Sequence, residues 1–233
     1  MSGTETSAAD PLFDYVLGPS LADRSDPRRM DFLRFLATGI LEEDWRYCPS
    51  SLGIVGLVEG RLGACCVVRR YEHGYTTEPR HWGERLRAQL LPLWSLLRCN
   101  RTMPEQGILD QQGFLLRTYG PEGVDTQLRL RRKKYAAVPH LCVSLMMVDP
   151  AFQGMGLCGQ TMRAVCRAAD QQRLPCYLET GGRKNAAVYE RFGFKVAERF
   201  SCATDGHGSF DEIYAMTRPM PQGVGLSREP KTV

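Results

Sequence analysis

The apolar positions Met30, Phe32, Leu33, Phe35, Leu36, Ile40 and Leu41 recur near helical spacing between Pro27 and Glu43. Asp26-Pro27 ahead of them supplies an N-cap and a first-turn proline, so the pattern predicts an amphipathic helix. The period then changes. Two apolar runs, around Ile54–Val58 and Leu62–Val68, are divided by Glu59-Gly60-Arg61, which predicts a β-hairpin. Trp82, Leu86, Leu90, Leu93/Trp94 and Leu97 return to helical spacing, with Pro92 set to kink that segment or limit its length. From Gly107 to Ala137 a hairpin around Gly120-Pro121-Glu122-Gly123 and a broken helix fit equally well, and both remain open.

Farther on, the order is clear. His140–Val148 is apolar enough for a strand and Asp149-Pro150 ends it. A glycine loop, Gln153 to Gly159, leads into a helical stretch Gln160–Gln172 with Met162, Val165, Cys166 and Ala169 on one face. A second apolar run, Pro175 to Thr180, follows. Residues 1–10 are small and polar, and 217–233 mix Pro, Gly and charge without period. Both are expected to be flexible tails around a single domain, 11–216, with a variable insertion at about 71–138.

Composition narrows the function. At 233 residues, 43% hydrophobic and 24% charged, the chain can fill one core without staples. Thirty Lys+Arg against 26 Asp+Glu give a net charge of +4, too balanced for a dedicated nucleic-acid binder. The basic run Arg129 to Lys134 reads as a solvated face, with a nucleic-acid patch or an anionic-cofactor contact as alternatives. The nine cysteines are odd in number, mostly inside apolar runs, and without C-x-x-C spacing; the four histidines form no H-x-x-x-H pair. Neither a disulfide framework nor a metal site is expected. The N-terminus lacks signal-peptide features and no apolar stretch reaches transmembrane length, so the expectation is a cytoplasmic protein with no membrane partner.

A strand, a glycine loop and a helix in succession aim backbone N–H groups and the positive helix end at an anion, so a phosphate or pyrophosphate is the expected ligand. Gly154-x-Gly156-x-x-Gly159, with Glu179 twenty residues on, also satisfies the dinucleotide fingerprint of NAD(P)- or FAD-binding Rossmann proteins. The spacer Asp149 to Gln153 argues against it, because in that fold the strand feeds almost directly into the first glycine.

VDPAFQGMGLCG resembles the acetyl-CoA loop of the GNAT acetyltransferase superfamily. Gln153 and Gly156 match its pattern; Cys158 stands where Gly or Ala is usual, and its Cβ is expected to narrow the approach of pyrophosphate. The run LET…N…YERxGFxV, from Leu178 through Asn185 and Tyr189 to Val196, is similar to the puromycin N-acetyltransferase branch, which also has a histidine opening the strand before the loop, here His140. The resemblance implies an α/β (α+β) GNAT fold, a mixed, mainly antiparallel sheet splayed into a V with flanking helices. Since only nine residues precede Asp10-Pro11-Leu12-Phe13, the family's first strand is expected to be missing, and a homodimer is one way to cover that edge.

The implied activity is transfer of acetyl from acetyl-CoA to a small-molecule amine by direct attack, without metal. Backbone groups of Met146, Met147 and Val148 would bind the pantetheine arm. The loop Gln153, Gly154, Met155, Gly156, Leu157, Cys158 and Gly159 would hold the pyrophosphate, with Asn185 assisting. Asn185 and Tyr189 are four apart and share a helix face, so the Tyr189 phenol can protonate the departing thiolate. Glu179, His140 or a water relay would take the amine's proton. Covalent catalysis by Cys158 is disfavoured. An acyl-CoA-binding sensor without turnover is the alternative, suggested by Cys158 and the short N-terminus.

Overall fold

The computed structural model describes residues 11–21, 23, 26, 28, 29, 33, 52–75, 111–204, 206 and 208–220. The first helix, α1, spans Pro11–Leu17. The predicted hairpin is present as β1 (Leu52–Val58) antiparallel to β2 (Arg61–Tyr71). Its two turn residues take left-handed backbone, Glu59 at φ 49° and Gly60 at φ 77°, as a tight two-residue hairpin requires. Asp26 accepts a hydrogen bond from the Arg28 backbone N–H at 2.9 Å, the predicted cap. Most of the helix expected after it, and the helical pattern at 82–97, lie outside the described residues.

Between 111 and 135 the broken helix prevails over the hairpin: α2 is Gln111–Tyr119 and α3 is Val124–Tyr135. The break needs its glycines. A Cβ on Gly120 would sit 2.4 Å from the Leu116 carbonyl oxygen, and one on Gly123 would sit 2.8 Å from that same atom. After α3 come β3 (His140–Val148), α4 (Leu157–Gln172), β4 (Cys176–Gly181), α5 (Arg183–Glu190), β5 (Lys195–Thr204) and β6 (Gly208–Arg218). Strand β6 takes in Thr217 and Arg218, which the composition assigned to the tail.

The six described strands lie in the order β1-β2-β3-β4-β6-β5, and β3–β4 is the parallel neighbour pair. A doubly wound parallel sheet is therefore not what this segment forms, which removes the dinucleotide reading of the glycine loop. Strand β1 is an edge of the described sheet, where the missing first strand was expected.

Both faces are covered. On one, α4 and α5 bury Met162, Val165, Cys166, Ala169 and Ala186 against Cys66, Val68, Leu141, Val143, Leu178 and Met216. The four α4 residues are those of the predicted face, and each larger one contributes roughly 1.5–3 kcal/mol by burial. On the other, α1, α2 and α3 place Val16, Leu17, Phe114 and Val124 against Cys142, Tyr177, Phe200, Ile213 and Ala215. Alternation along β3 and β4 divides residues between these faces, so neighbours in sequence end on opposite sides of the sheet.

Candidate functional site

The parallel seam between β3 and β4 is short. Only Leu141–Cys176, Cys142–Tyr177 and Val143–Leu178 are paired, and beyond them the strands diverge. The cause lies in β3. On its β2 side the register runs Val68–Val143 and then Val67–Leu145, so Ser144 is an extra residue, a β-bulge that bends the strand where the seam ends. Its Oγ is buried with no hydrogen-bond partner among the described residues. From Ser144 to Val148 the β3 edge facing β4 has left the ladder, and its backbone N–H and C=O groups are available to a ligand lying in the V.

The glycine loop adjoins this opening. Asp149 caps a short 3-10 turn, Pro150–Phe152, by accepting from the Ala151 N–H at 2.8 Å, and its own N–H donates to the Gly63 carbonyl at 2.9 Å. Gly63 also makes room: a Cβ there would meet Leu157 Cδ1 at 2.8 Å and Phe152 at 3.3 Å. Gly154 and Gly156 follow at φ 79° and 76°, and nothing lies within 4 Å of where their Cβ atoms would be. The first helical bond runs from Gln160 N–H to the Gly156 carbonyl, which leaves the N–H groups of Leu157, Cys158 and Gly159 without helical partners. Together these form an open, anion-seeking cradle.

The Cys158 thiol is half-buried and packs against the core beneath α4. Burial pushes the Cys158 thiol up, opposite to the lowering that a helix N-terminus produces in a reactive cysteine.

Arg163, one turn into α4, was missed in the sequence. A Cβ on Gly159 would meet its guanidinium at 3.5 Å, so an exposed cation stands beside the third glycine where Met155 has none to offer. Arg61 lies 5.2 Å over the Phe152 ring at the loop's other flank. The i+4 step from Gly159 to Arg163 was the legible signal.

Met146, Cys158 and Tyr189 all pack against the same core cluster, so β3, α4 and α5 are brought to one side of the sheet. Tyr189 is half-buried, its ring edge-on to Phe194 at 6.2 Å. Asn185 shares α5 with it as predicted, and its amide donates to the Gly181 carbonyl at 2.9 Å, tying the helix to the end of β4.

His140 and Glu179 sit on the opposite face. Both Glu179 oxygens accept from Arg132 of α3, Nε at 2.8 Å and an Nη at 2.9 Å, and the Glu179 side chain is 8% exposed. Burial alone would lower the Arg132 pKa, but the carboxylate overcomes it and holds the guanidinium well above its usual range. His140 is buried. Its ring stacks on Tyr71 at 4.8 Å and meets Tyr177 edge-on at 6.2 Å. Its Nδ1 lies 2.7 Å from the Val138 carbonyl, which can only accept, so Nδ1 carries the hydrogen and Nε2 is the basic nitrogen. Desolvation lowers the His140 pKa; the Val138 bond and Glu179 oppose that, and Arg132 adds to it. Burial and the neighbouring Glu179 charge raise the Tyr177 phenol far above its ordinary value.

The basic run is therefore not one solvated face. Arg132 turns inward, Arg131 lies 4.3 Å over Phe200 and pairs with Glu198, and Lys134 pairs with the same carboxylate at 3.0 Å. Arg129 pairs with Asp125 at 2.7 Å. Leu128, Arg132 and Tyr135, at i, i+4 and i+7, form the inward stripe that the run of charges concealed. A shallow groove of about 330 Å³ on α2 and α3, lined by Tyr119, Asp125, Thr126, Arg129, Leu130 and Lys133, includes neither the glycine loop nor the seam. Among the described residues no cluster of His, Cys, Asp and Glu is arranged to hold a metal, and no helix is long and apolar enough to cross a membrane.

Residues 123–196 match the family model described as an acetyltransferase (GNAT) domain, about a third of the chain. The match runs from the start of α3 through the loop to β5, and with the splayed six-stranded sheet it supports a GNAT fold and an acyltransferase. It begins inside the segment that the sequence assigned to an insertion. No curated protein matches the chain in sequence. Solved structures similar in fold include a "histone acetyltransferase HPA2 and related acetyltransferase" from Corynebacterium glutamicum, at 13% identity, TM-score 0.46, covering 94% of this chain and 96% of that one. A Drosophila melanogaster polyamine N-acetyltransferase is similar at 15% identity, TM-score 0.46 and coverage of 88% and 87%. Arylalkylamine N-acetyltransferase 2 from Aedes aegypti is similar at 14%, 0.48, 92% and 97%. Identities this low transfer nothing about substrate.

Proposed function

We propose that the protein is an N-acetyltransferase that moves an acetyl group from acetyl-CoA to a small-molecule amine by direct attack. The observation that carries this is the conjunction of the bulged, parted β3–β4 seam with an unobstructed glycine cradle at the end of the same strand. The run from Leu178 to Val196 supports a place near the puromycin N-acetyltransferase branch.

The residues present fit the cosubstrate. The N–H groups from Gly154 to Gly159 would hold its pyrophosphate, with Arg163 adding charge, and the freed backbone of Met146 to Val148 would take the pantetheine amides and polarise the thioester carbonyl. Bound acetyl-CoA supplies the activated acetyl group. The amine nitrogen, approaching from the face of His140, bonds to the carbonyl carbon as the carbon–sulfur bond breaks. Tyr189, on the other face, gives its phenolic proton to the leaving sulfur, and the proton released by the amine passes to water, since Glu179 and His140 are both buried.

The test is incubation with acetyl-CoA and a panel of primary amines, read by mass spectrometry. Acetylated amine is expected. Binding of acetyl-CoA without product from any amine would instead favour the sensor reading.

A further inference from the structure

We propose that Ser144 is a catalytic residue: its hydroxyl accepts a hydrogen bond from the acceptor amine and aims the nitrogen lone pair at the thioester carbonyl carbon. The inference rests on the reading of the parted seam as an acetyltransferase site, and it goes beyond that reading by naming the group that orients the nucleophile.

Ser144 is the extra residue of the β3 bulge and directly follows Val143, which makes the last rung of the seam with Leu178. It therefore stands at the apex of the V. The strand from Val148, beside the glycine loop, back to Ser144 covers roughly 13 Å, the order of length of an extended pantetheine arm, so an arm anchored by its pyrophosphate in the cradle brings its acyl end to the apex. The side chain is on the amine's face. Val143 and Met146 both pack in the cluster beneath α4, so the two residues between them, Ser144 and Leu145, turn to the opposite face, away from Tyr189. Cys142 lies on that face too, and its thiol is the polar neighbour of the Ser144 hydroxyl.

The hydroxyl is unmet. Ser144 Oγ is closed to solvent with no hydrogen-bond partner among the described residues, and a thiol is too weak a hydrogen-bonding group to replace one. A hydroxyl held from water without a partner costs stability; at a bulge beside a parted seam that cost has a use when a substrate supplies the missing bond. Ser144 as a whole is partly exposed, so the opening reaches this residue. The charged alternatives on the same face are withdrawn: both Glu179 oxygens are held by Arg132, and His140 is buried at the paired end of the strand. A neutral acceptor also suits the task. A carboxylate beside the nitrogen favours the ammonium form, which has no lone pair to attack with, whereas a hydroxyl accepts from the N–H of a neutral amine without holding the extra proton.

The experiment compares full-length wild type, Ser144→Ala and Ser144→Cys in steady-state kinetics with a primary amine that wild type acetylates. Acetyl-CoA affinity by calorimetry, thermal melting, and the infrared carbonyl stretch of bound acetyl-CoA, isotope-labelled at the thioester carbonyl, are measured beside it. Ser144→Ala is expected to lower kcat/KM for the amine by roughly 10- to 100-fold while acetyl-CoA affinity stays within about threefold. The carbonyl stretch is expected to stay where it is in wild type, and the melting temperature to be no lower. Ser144→Cys, close in size but a weak acceptor, is expected to fall likewise in kcat/KM, and it decides the matter should the alanine variant not fold. An unchanged kcat/KM overturns the proposal. So does a carbonyl stretch that rises when the hydroxyl is lost, because the bond then goes to the thioester oxygen and not to the amine. A lower melting temperature together with weakened acetyl-CoA binding overturns it in favour of a structural role. Absence of acetylated product from wild type with every amine would instead overturn the acetyltransferase reading, and this inference with it.

Discussion

Val143 pairs with Leu178 in the last rung of the parallel seam, and the residue after Val143 is the bulge that ends it. One inserted residue thus produces two effects. It frees the remaining β3 backbone from β4, and it reverses which side chains face α4, so Met146 joins Val143 on the same cluster despite the odd step between them. The opening of the sheet is a local property of β3.

Replacing Tyr189 with Phe removes the phenolic hydroxyl while the ring keeps its packing against the core and Phe194. The expected result is a fall in kcat of roughly 10²-fold or more with acetyl-CoA affinity changed by no more than about threefold. Steady-state kinetics with calorimetric binding checks this; an unchanged kcat would remove Tyr189 as the acid.

Gly156 and Gly206 are matched in backbone, at φ 76° and 72°, each with open space where a Cβ would go. Alanine at either strains a left-handed position by about 1–2 kcal/mol. Only at Gly156 does the new methyl enter the anion's path. Gly156→Ala is therefore expected to weaken acetyl-CoA binding by about tenfold or more beyond any effect of Gly206→Ala, although both lower the melting temperature alike. Equal affinities would contradict the cradle.

Cys158→Ser should leave turnover within a few-fold of wild type, since the thiol faces the core and burial raises its pKa. Intact-mass spectrometry of wild type with acetyl-CoA alone should show no acetyl adduct at Cys158. An adduct that forms and is discharged by amine would establish the covalent route instead.

His140 also links pH to stability. Its folded pKa lies below the unfolded value of about 6.5, so the unfolded state binds more protons in that window. Its contribution is fully present above the unfolded pKa and is lost as pH falls through the depressed folded one. Urea titrations from pH 7.5 downward should show stability dropping in wild type, with a flatter dependence in His140→Asn. Parallel curves would show that His140 does not carry the linkage.

Much of this was legible before any coordinates. The hairpin turned at Glu59-Gly60, the buried face of α4 fell on Met162, Val165, Cys166 and Ala169, and the spacer after Asp149 separated an acyltransferase loop from a dinucleotide one. These are local signals, set by periodicity and by backbone conformations that few residues adopt. Arg132 was not legible: inside a run of like charges its inward direction depends on where α3 sits, and a polar residue at a core-facing position leaves no hydrophobic trace. Ser144 was equally silent, because a bulge is a mismatch between two strands and neither strand contains it alone.

The amino-acid sequence by itself determined the order of elements, the glycine cradle and the two strands that flank it, because each follows from contacts within a few residues along the chain. Tertiary structure alone decided which distant groups meet. Pairing across β2, β3 and β4 opened the seam at Ser144, put Tyr189 and His140 on opposite faces, turned Cys158 into the core and joined Arg132 to Glu179 across 47 positions of chain. Those outcomes depend on which distant groups must share a desolvated space, and a buried charge finds its partner only when the sheet and its helices have closed around it.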